Sequence, residues 1–307
     1  MVASGIMFHH FYGDHHPKGQ GAISARNLED LIVSLGRNNV LPAREWLTRA
    51  LAGKLGDNDL CLTFDDALKC QYDIAVPVMR SLGLTGFWFV YSSVFQGDIG
   101  ALEVYRHFRT IQFASIDQFY DAFFKTGLAL YPVEYEAALA SFNPNTYLSA
   151  FPFYTDRDRL FRYLRDDGFG WPRYSAVMQS MMEKCGYDAR SASVSLWMND
   201  QDIGRLHDEG HIVGLHSFTH PTRLCELSVQ AQQEEYQKNF DHLHTVLGVP
   251  PCVMAHPSNS YSSETISILR GMGIQLGFRS NMEPVANRSL YEFPRQDHAN
   301  LMRVLRP

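Results

Sequence analysis

The sequence predicts an α/β protein whose parallel strands form a barrel or a barrel-like sheet. Short apolar runs alternate with longer segments of helical periodicity along most of the 307 residues, as in β–α–β units. Residues 86–91 are continuously apolar, which is typical of a strand in a parallel sheet covered on both faces. Polar candidates for a functional site follow several of these runs, where barrel strands carry active sites at their carboxyl ends.

The elements follow from periodicity and from the residues that bound each run. Apolar runs predict strands at residues 5–12, 60–66, 86–91, 211–216, 249–254, 275–280 and 290–295. Apolar residues three and four apart predict helices at residues 27–35, 42–52, 73–82, 201–209, 228–247 and 263–272. Ser24 and Ser228 are predicted N-caps, Gly248 is a predicted helix end, and Pro77 marks a first turn or a kink.

Residues 97–196 differ in character, because Tyr, Phe and Arg become dense and no clear strand is visible. Helical spacing predicts helices at residues 104–113, 116–124, 135–140, 157–167 and 173–185. We expect this segment to be a helical insertion within a single catalytic domain of residues 1–307. Long excursions from α/β barrels often supply substrate contacts, so the insertion is a candidate lid or wall.

Composition excludes several classes of protein. The net charge of −6 gives no reason to expect nucleic acid or an anionic membrane as a partner. Five scattered cysteines indicate reduced structural thiols of a cytoplasmic protein rather than a disulfide framework. The first residues do not resemble a signal peptide, and no apolar run is long enough for a membrane span.

Two adjacent carboxylates, Asp65 and Asp66, end the predicted strand at residues 60–66. Because they repel each other, both stay ionised at low cost only beside a cation or a strong donor. His216 and His220 follow another apolar run, and their spacing of four lets both rings turn toward one point. Imidazole with carboxylate is a common ligand set for zinc and iron-group metals. The sequence therefore predicts a mononuclear metal centre with an open position; the alternative is two ordinary loop histidines.

Thr-Phe-Asp-Asp at residues 63–66, followed by His-Ser-Phe-Thr-His at residues 216–220, resembles the paired motifs of the polysaccharide deacetylase family (carbohydrate esterase family four, NodB-homology fold). The resemblance covers roughly residues 1–96 and 197–307. It implies a distorted, incomplete (β/α) barrel. It also implies one divalent metal, most plausibly zinc with cobalt, nickel or iron as alternatives, held by Asp66, His216 and His220.

Asp65 is the general base that the resemblance implies, and it would take a proton from the attacking water. The alternatives for Asp65 are a second metal ligand or a helix cap. The family's usual Arg-x-Pro-Tyr segment is matched by residues 254–261, where the Pro remains as Pro257 but the Arg position is Ala255.

In the family, the backbone N–H of that segment holds the oxyanion and its Arg orients the catalytic Asp. Other residues would have to take these two roles here. The backbone N–H of Ser258 or Asn259 is a candidate for holding the oxyanion, and Arg279 and Arg295 are candidates for the missing Arg. Ala67 also replaces the usual Gly of the first motif, which should alter the loop there.

The candidate general acid is His298, which follows the last predicted strand but does not match the family's Leu-x-His pattern. His9 and His10 compete, because they end the first strand and alternation should send one of them inward. The family's Asp-x-x-Asp-Trp segment has no convincing match. Arg106, in a basic and aromatic helix of the insertion, is a candidate for gripping phosphate or carboxylate.

Together these features predict a metal-dependent hydrolase that removes an acetyl or formyl group from the nitrogen of an amino sugar. We expect a cytoplasmic precursor or component of a surface polysaccharide or lipopolysaccharide, possibly nucleotide- or lipid-linked, as the substrate. One alternative is a hydrolase of another linear or cyclic amide on the same scaffold. The other is a non-catalytic carbohydrate-binding relative.

Overall fold

The computed structural model describes residues 2–149, 153–286 and 288–305, which form two compact units. The first comprises Met1–Gly100 and Ser195–Pro307, and the second is Ala101–Val194. The second unit lies within the segment of residues 97–196 that the sequence distinguishes. Its role as part of a single catalytic domain stays a prediction.

Seven parallel strands form the centre of the first unit, in the order β6-β5-β4-β3-β2-β1-β7. They are β1 (Ser4–Phe8), β2 (Leu60–Asp65), β3 (Phe87–Val90), β4 (Ile212–Leu215), β5 (Val253–Ala255), β6 (Leu276–Phe278) and β7 (Arg295–Asp297). A parallel bridge between Phe278 and Phe293 brings the two edges of the sheet together, so the barrel is nearly closed. The predicted distorted (β/α) barrel is thereby confirmed.

Helices surround this sheet and make up the second unit. They are α1 (Ala25–Ser34), α2 (Ala43–Leu51), α3 (Val76–Ser81), α4 (Ala101–Gln112), α5 (Ile116–Leu130), α6 (Pro132–Ser141), α7 (Asp156–Tyr163), α8 (Gly170–Lys184), α9 (Ala189–Val194), α10 (Asp200–Asp208), α11 (Val229–Leu247), α12 (Ser263–Gly271) and α13 (His298–Leu305), of which α4–α9 belong to the second unit. The predicted caps Ser24 and Ser228 both accept a backbone N–H, and Gly248 ends α11 in the left-handed conformation. None of the described helices has the length and apolarity needed to cross a bilayer.

The last strand differs from its prediction. The sequence predicts it at residues 290–295, whereas regular pairing occurs at Arg295–Asp297. Pro294 has no N–H to contribute to a strand ladder, so the apolar residues before it make only the isolated bridge at Phe293. Helix α13 begins directly after this strand and was not predicted.

Aromatic side chains fill both faces of the sheet. Phe64 and Trp88 stack with ring centroids 4.1 Å apart on one face. On the other face, Trp46 of α2 packs against Phe278, with ring centroids 5.2 Å apart, and against Phe293 at 5.0 Å. This two-sided burial fixes the strand positions and, with them, the residues at the strand ends.

A buried histidine at the amino end of β4 predicts acid sensitivity. The Nδ1 atom of His211 accepts hydrogen bonds from the Gly86 N–H and the Trp88 Nε1–H, each at 3.0 Å. Burial lowers the pKa of His211 to about 4, so the unfolded chain binds a proton here at a higher pH than the folded chain does. Stability should therefore fall by about 3 kcal/mol from this residue as the pH drops from about 6.5 to 4.

Urea unfolding between pH 7.5 and 4 tests this expectation. His211→Gln should flatten the pH dependence of the free energy of unfolding, whereas His244→Gln, at an exposed position of α11, should not. Equal slopes in the wild type and His211→Gln would contradict it.

Candidate metal centre

Asp65, Asp66, His216 and His220 come together at the carboxyl ends of β2 and β4. Asp65 is the last residue of β2, and His216 follows β4 directly. The Nε2 atoms of His216 and His220 each lie 3.6 Å from Asp66 Oδ1. The parallel sheet thus joins the two motifs, which are about 150 residues apart in the sequence, at one edge.

The geometry of these side chains fits a divalent metal. One ligand atom from each of Asp66, His216 and His220 lies within 4.8 Å of the others. The 3.6 Å separations are too long for hydrogen bonds, but they approach the roughly 3.4 Å between tetrahedral ligands bound at about 2.1 Å.

The protonation state of His216 also suits metal binding. Its Nδ1 lies 2.8 Å from the Ala255 carbonyl oxygen, so Nδ1 carries the proton and Nε2 presents its lone pair to Asp66. Burial lowers the pKa of His216 to about 3 and keeps the ring neutral, which is the form that binds metals. Asp66, His216 and His220 are therefore the residues that would hold the ion.

Asp65 is held by an arginine from the last strand. Arg295 donates from Nη1 to Asp65 Oδ1 at 2.6 Å and from Nη2 to Asp65 Oδ2 at 2.8 Å. Both side chains are almost fully buried. Burial alone would raise the pKa of Asp65, but the charge and hydrogen bonds of Arg295 outweigh it and hold that pKa below its ordinary value. Asp65 is therefore ionised at neutral pH.

Of the two arginines considered for the position lost at Ala255, only Arg295 contacts Asp65. Arg295 Nε also donates to the Arg279 carbonyl oxygen at 2.7 Å, which fixes the guanidinium in place. The Arg279 side chain instead donates to the Glu292 carbonyl at 3.1 Å and to the Glu283 carbonyl at 2.6 Å. Arg279 thus holds the segment between β6 and β7.

The two oxyanion candidates differ in availability. The Asn259 N–H donates to the His256 carbonyl at 3.2 Å, and Asn259 Oδ1 accepts from the Ser280 N–H at 3.1 Å. Ser258 is exposed, and its N–H has no such bond within the described part of the chain. Ser258 lies three residues beyond Ala255, whose carbonyl holds His216. The geometry therefore favours the N–H of Ser258.

His298 and His9 occupy different environments. Both ring nitrogens of the buried His298 lie 3.2 Å from a backbone carbonyl, Nδ1 from Met7 and Nε2 from Gly21. His9, in contrast, places Nε2 3.8 Å from Asp65 Oδ2 and 4.0 Å from Asp66 Oδ2, and its side chain is 29% exposed. The structure thus brings His9 rather than His298 to the carboxylates. The signal in the sequence was the alternation of side chains along β1, which directs one of His9 and His10 inward.

Sequence reasoning missed the residues of α11 that hold the loop with His216 and His220. Glu235 Oε2 accepts hydrogen bonds from the Phe218 N–H at 3.0 Å and the Thr219 N–H at 2.8 Å. Asn239, one turn later and fully buried, accepts from the His216 N–H at 2.9 Å and donates to the Val90 carbonyl at 2.9 Å. The signal in the sequence was the spacing of four between Glu235 and Asn239, which places both side chains on one face of the helix.

Removing the Glu235 carboxylate should weaken metal binding, because three donors of the loop lose their acceptor. We expect Glu235→Ala to lower metal affinity by about 10–100-fold, the range found when supporting groups of metal ligands are removed. Competition with a chromophoric chelator measures this affinity. The matched control is Glu234→Ala, the exposed neighbour on the same helix. Equal affinities in the two variants would show that Glu235 does not position the loop.

Backbone strain is concentrated at this site. Of the seven described non-glycine residues with positive φ, six lie at these strand ends: Asp66, Ala67, Ser217, His220, Ser258 and Asn259. Ala67, at the usual Gly position of the first motif, has φ of 57°. L-residues adopt this region at a cost of about 1–2 kcal/mol, so the surrounding structure must hold them there.

Arg106, the remaining candidate, lies on α4 in the second unit and is half-buried. A contact of this side chain with substrate stays a prediction.

Comparison with known families agrees with the second motif. The sequence profile of the polysaccharide deacetylase family matches residues 166–277, a segment that contains His216 and His220. No curated protein sequence gives a significant match. The family resemblance read from the motifs is thereby confirmed, and it supports a hydrolase acting on non-peptide carbon–nitrogen bonds.

Solved structures of deacetylases share the fold. The deacetylase PplD of Streptococcus pyogenes, in complex with acetate, has a TM-score of 0.55 at 14% identity over 100% of this chain and 99% of its own. IcaB of Ammonifex degensii has a TM-score of 0.57 at 16% identity over 99% and 95%. A de-N-acetylase of Aggregatibacter actinomycetemcomitans has a TM-score of 0.57 at 10% identity over 99% of both chains. At such identities the likeness shows the fold alone.

Proposed function

We propose that this protein is a metal-dependent hydrolase that removes an N-acyl group, acetyl or formyl, from an amino sugar. The observation that carries the proposal is the convergence of three metal-binding side chains beside an ionised carboxylate that is not one of them. Asp66, His216 and His220 would hold the metal, while Arg295 keeps Asp65 charged and oriented. The family match supports this class of reaction.

A divalent metal bound there would act as a Lewis acid toward the amide carbonyl and the attacking water. Asp65 Oδ2, which faces His216 Nε2 at 3.8 Å, would take the proton that the water loses as its oxygen bonds to the carbonyl carbon. The Ser258 N–H would hold the negative charge that develops on the carbonyl oxygen.

We assign the proton donor for the leaving amine to His9 rather than to His298. Burial is the main reason that the pKa of His9 is lowered, so the ring is neutral before the reaction. His9 Nε2 lies 3.8 Å from Asp65 Oδ2, so the proton of that carboxyl would reach it through one bridging water. His9 would then pass the proton to the amine nitrogen as the carbon–nitrogen bond breaks. Neither ring nitrogen of His298 is directed at these groups.

The substrate part of the proposal is an amino sugar that is a precursor or component of a surface polysaccharide or lipopolysaccharide, nucleotide- or lipid-linked, in the cytoplasm. Zinc is the proposed metal. The test is amine release from short N-acylated amino sugars and from long polymers in parallel. Turnover of long polymers alone would contradict the precursor assignment. Turnover of other amides but not of sugars would favour the alternative amide hydrolase.

The metal content of the purified protein is the first test of the proposed mechanism. Elemental analysis should find about one divalent metal per wild-type chain and little in His216→Ala, because that change removes a buried ligand. His244→Ala, on the exposed face of α11, is the control and should keep the metal. Wild-type protein that takes up no metal after reconstitution would contradict the proposal. Sugar binding without any turnover in metal-loaded protein would favour the carbohydrate-binding alternative.

A further inference from the structure

The second unit contains two arginines that pack against aromatic rings instead of carboxylates. The Arg109 guanidinium on α4 lies 5.8 Å from the ring centroid of Phe161, and that of Arg162 on α7 lies 4.1 Å from the ring of Tyr154. Arg162 Nε is buried without a hydrogen-bond partner in the described structure. Neither arginine forms an ion pair or hydrogen bond with a described residue, whereas Arg157, Arg165 and Arg173 of the same unit each pair with acidic residues.

These cations also lie in one region of the second unit, because Arg109 packs against Phe161, the residue directly before Arg162. Burial lowers the pKa of Arg109 to about 10, and the charges of Arg106 and Arg162 add to this effect. Asp158 lies in the same region, where it accepts from the Tyr120 hydroxyl and, at 2.9 Å, from the Thr155 N–H, and it supplies one negative charge against the two of Arg109 and Arg162. Like charges with limited access to water are costly unless an anion joins them.

The chain itself offers no acidic side chain beyond the described residues. The positions outside the described ranges are Met, Ala, Phe, Pro, Asn and Arg in the sequence, none of which is acidic. An aromatic ring accepts none of the planar N–H groups of a guanidinium in its fork, so these edges stay unsatisfied by the ring. Such edges bind phosphate oxygens in pairs, as fork-like hydrogen bonds.

We propose that Arg109 and Arg162 form a binding site for the phosphate group of a ligand. Two guanidinium charges match the nearly double negative charge of a phosphate, whereas a single carboxylate would leave one of them uncompensated. Arg109 is partly exposed, which provides access for the ligand. Inorganic phosphate, a diphosphate and a sugar phosphate share this chemistry. The site does not depend on the deacetylase proposal, since none of its residues belongs to the metal centre.

Calorimetry and thermal melting of the full chain with inorganic phosphate, pyrophosphate and a sugar phosphate test the proposal. Phosphate should raise the melting temperature above that in chloride of equal ionic strength. Arg109→Gln and Arg162→Gln should each weaken phosphate binding by at least about tenfold. Arg190→Gln removes an exposed arginine of α9 in the same unit and should bind like the wild type. Tighter binding of pyrophosphate than of phosphate would identify a diphosphate ligand, and tightest binding of the sugar phosphate would identify a monoester.

Folding and metal effects are separated by further variants. Without phosphate, Arg109→Gln should melt at or above the wild-type temperature, because it removes a repelled charge. If a Gln variant fails to fold, Arg109→Lys keeps the charge without the fork and should still bind phosphate more weakly. In the His216→Ala chain, phosphate binding should persist.

Three outcomes would overturn the proposal. They are no phosphate or pyrophosphate binding by the wild type, equal loss in Arg190→Gln, or dependence of the binding on His216.

Discussion

Asp65→Asn is expected to lower turnover by about 10²–10⁴-fold, the usual contribution of a positioned general base, while the protein still binds its metal. An amide oxygen cannot take the proton from water, although Asn fills nearly the same space. Asp66, His216 and His220 are unchanged in this variant, so the metal-binding side chains remain. Initial rates of amine release and elemental analysis of the same samples give both quantities.

Asp57→Asn, at an exposed position before β2, removes the same charge elsewhere and should leave turnover unchanged. The melting temperature of each variant shows whether folding is intact, because Asn leaves Arg295 without its counter-ion. Loss of the metal from Asp65→Asn would make Asp65 a ligand rather than a base. Full turnover with the metal bound would exclude the base role altogether.

The second large effect is expected for Arg295→Met, which leaves the Asp65 carboxylate buried and without its counter-ion. Breaking a buried ion pair from one side typically costs about 3–5 kcal/mol, and we expect a loss of that size in urea unfolding at pH 8. Turnover should fall as well, since the base loses both hydrogen bonds that orient it.

The pH dependence of this loss has a definite sign. In the wild type the pKa of Asp65 is lowered, so its stabilising effect is present above the unfolded value of 3.8 and is lost as the pH falls further. In Arg295→Met the charge and hydrogen bonds of Arg295 are gone, and burial, the largest influence on Asp65, raises that pKa, so protonation should relieve part of the loss as the pH decreases. The difference in unfolding free energy between the two proteins should therefore be smaller at pH 5 than at pH 8.

A double-mutant cycle isolates the ion pair. Arg295→Met combined with Asp65→Asn should be less destabilising than the sum of the single changes, because the second change removes the unpaired charge. Arg279→Met removes another buried arginine that does not contact Asp65, and it should combine additively with Asp65→Asn. Additivity in both cycles would contradict the described pairing.

The sequence allowed the fold and the grouping of Asp66, His216 and His220 to be predicted, because both depend on local sequence patterns. Asp66 and His216 adjoin recognisable apolar runs, and parallel strands bring the ends of such runs to one edge. Arg295 could only be a candidate, since its pairing with Asp65 depends on how the sheet closes across 230 residues. Glu235 was missed because its contacts are with backbone N–H groups, which any loop sequence provides.

The choice between His9 and His298 shows the same limit. Alternation along β1 allows either His9 or His10 to face inward, and only the packed structure decides between them. The last strand is shifted past Pro294, so His298 lies at the start of α13. There, each of its ring nitrogens lies beside a backbone carbonyl. Strand register and the closure of loops depend on the whole fold, so they cannot be predicted from separate motifs.

The six residues with positive φ around the metal centre have a consequence for engineering this protein. Each of these residues has a backbone conformation that glycine adopts without steric cost. Glycine substitutions at this edge should therefore lower the conformational energy of the folded protein. Random searches for thermostable variants should therefore find improvements at these positions readily, and the improved proteins should tend to lose function. Durable gains are better sought at the amino ends of the strands, where none of the described non-glycine residues has a positive φ and no reacting group has to be presented.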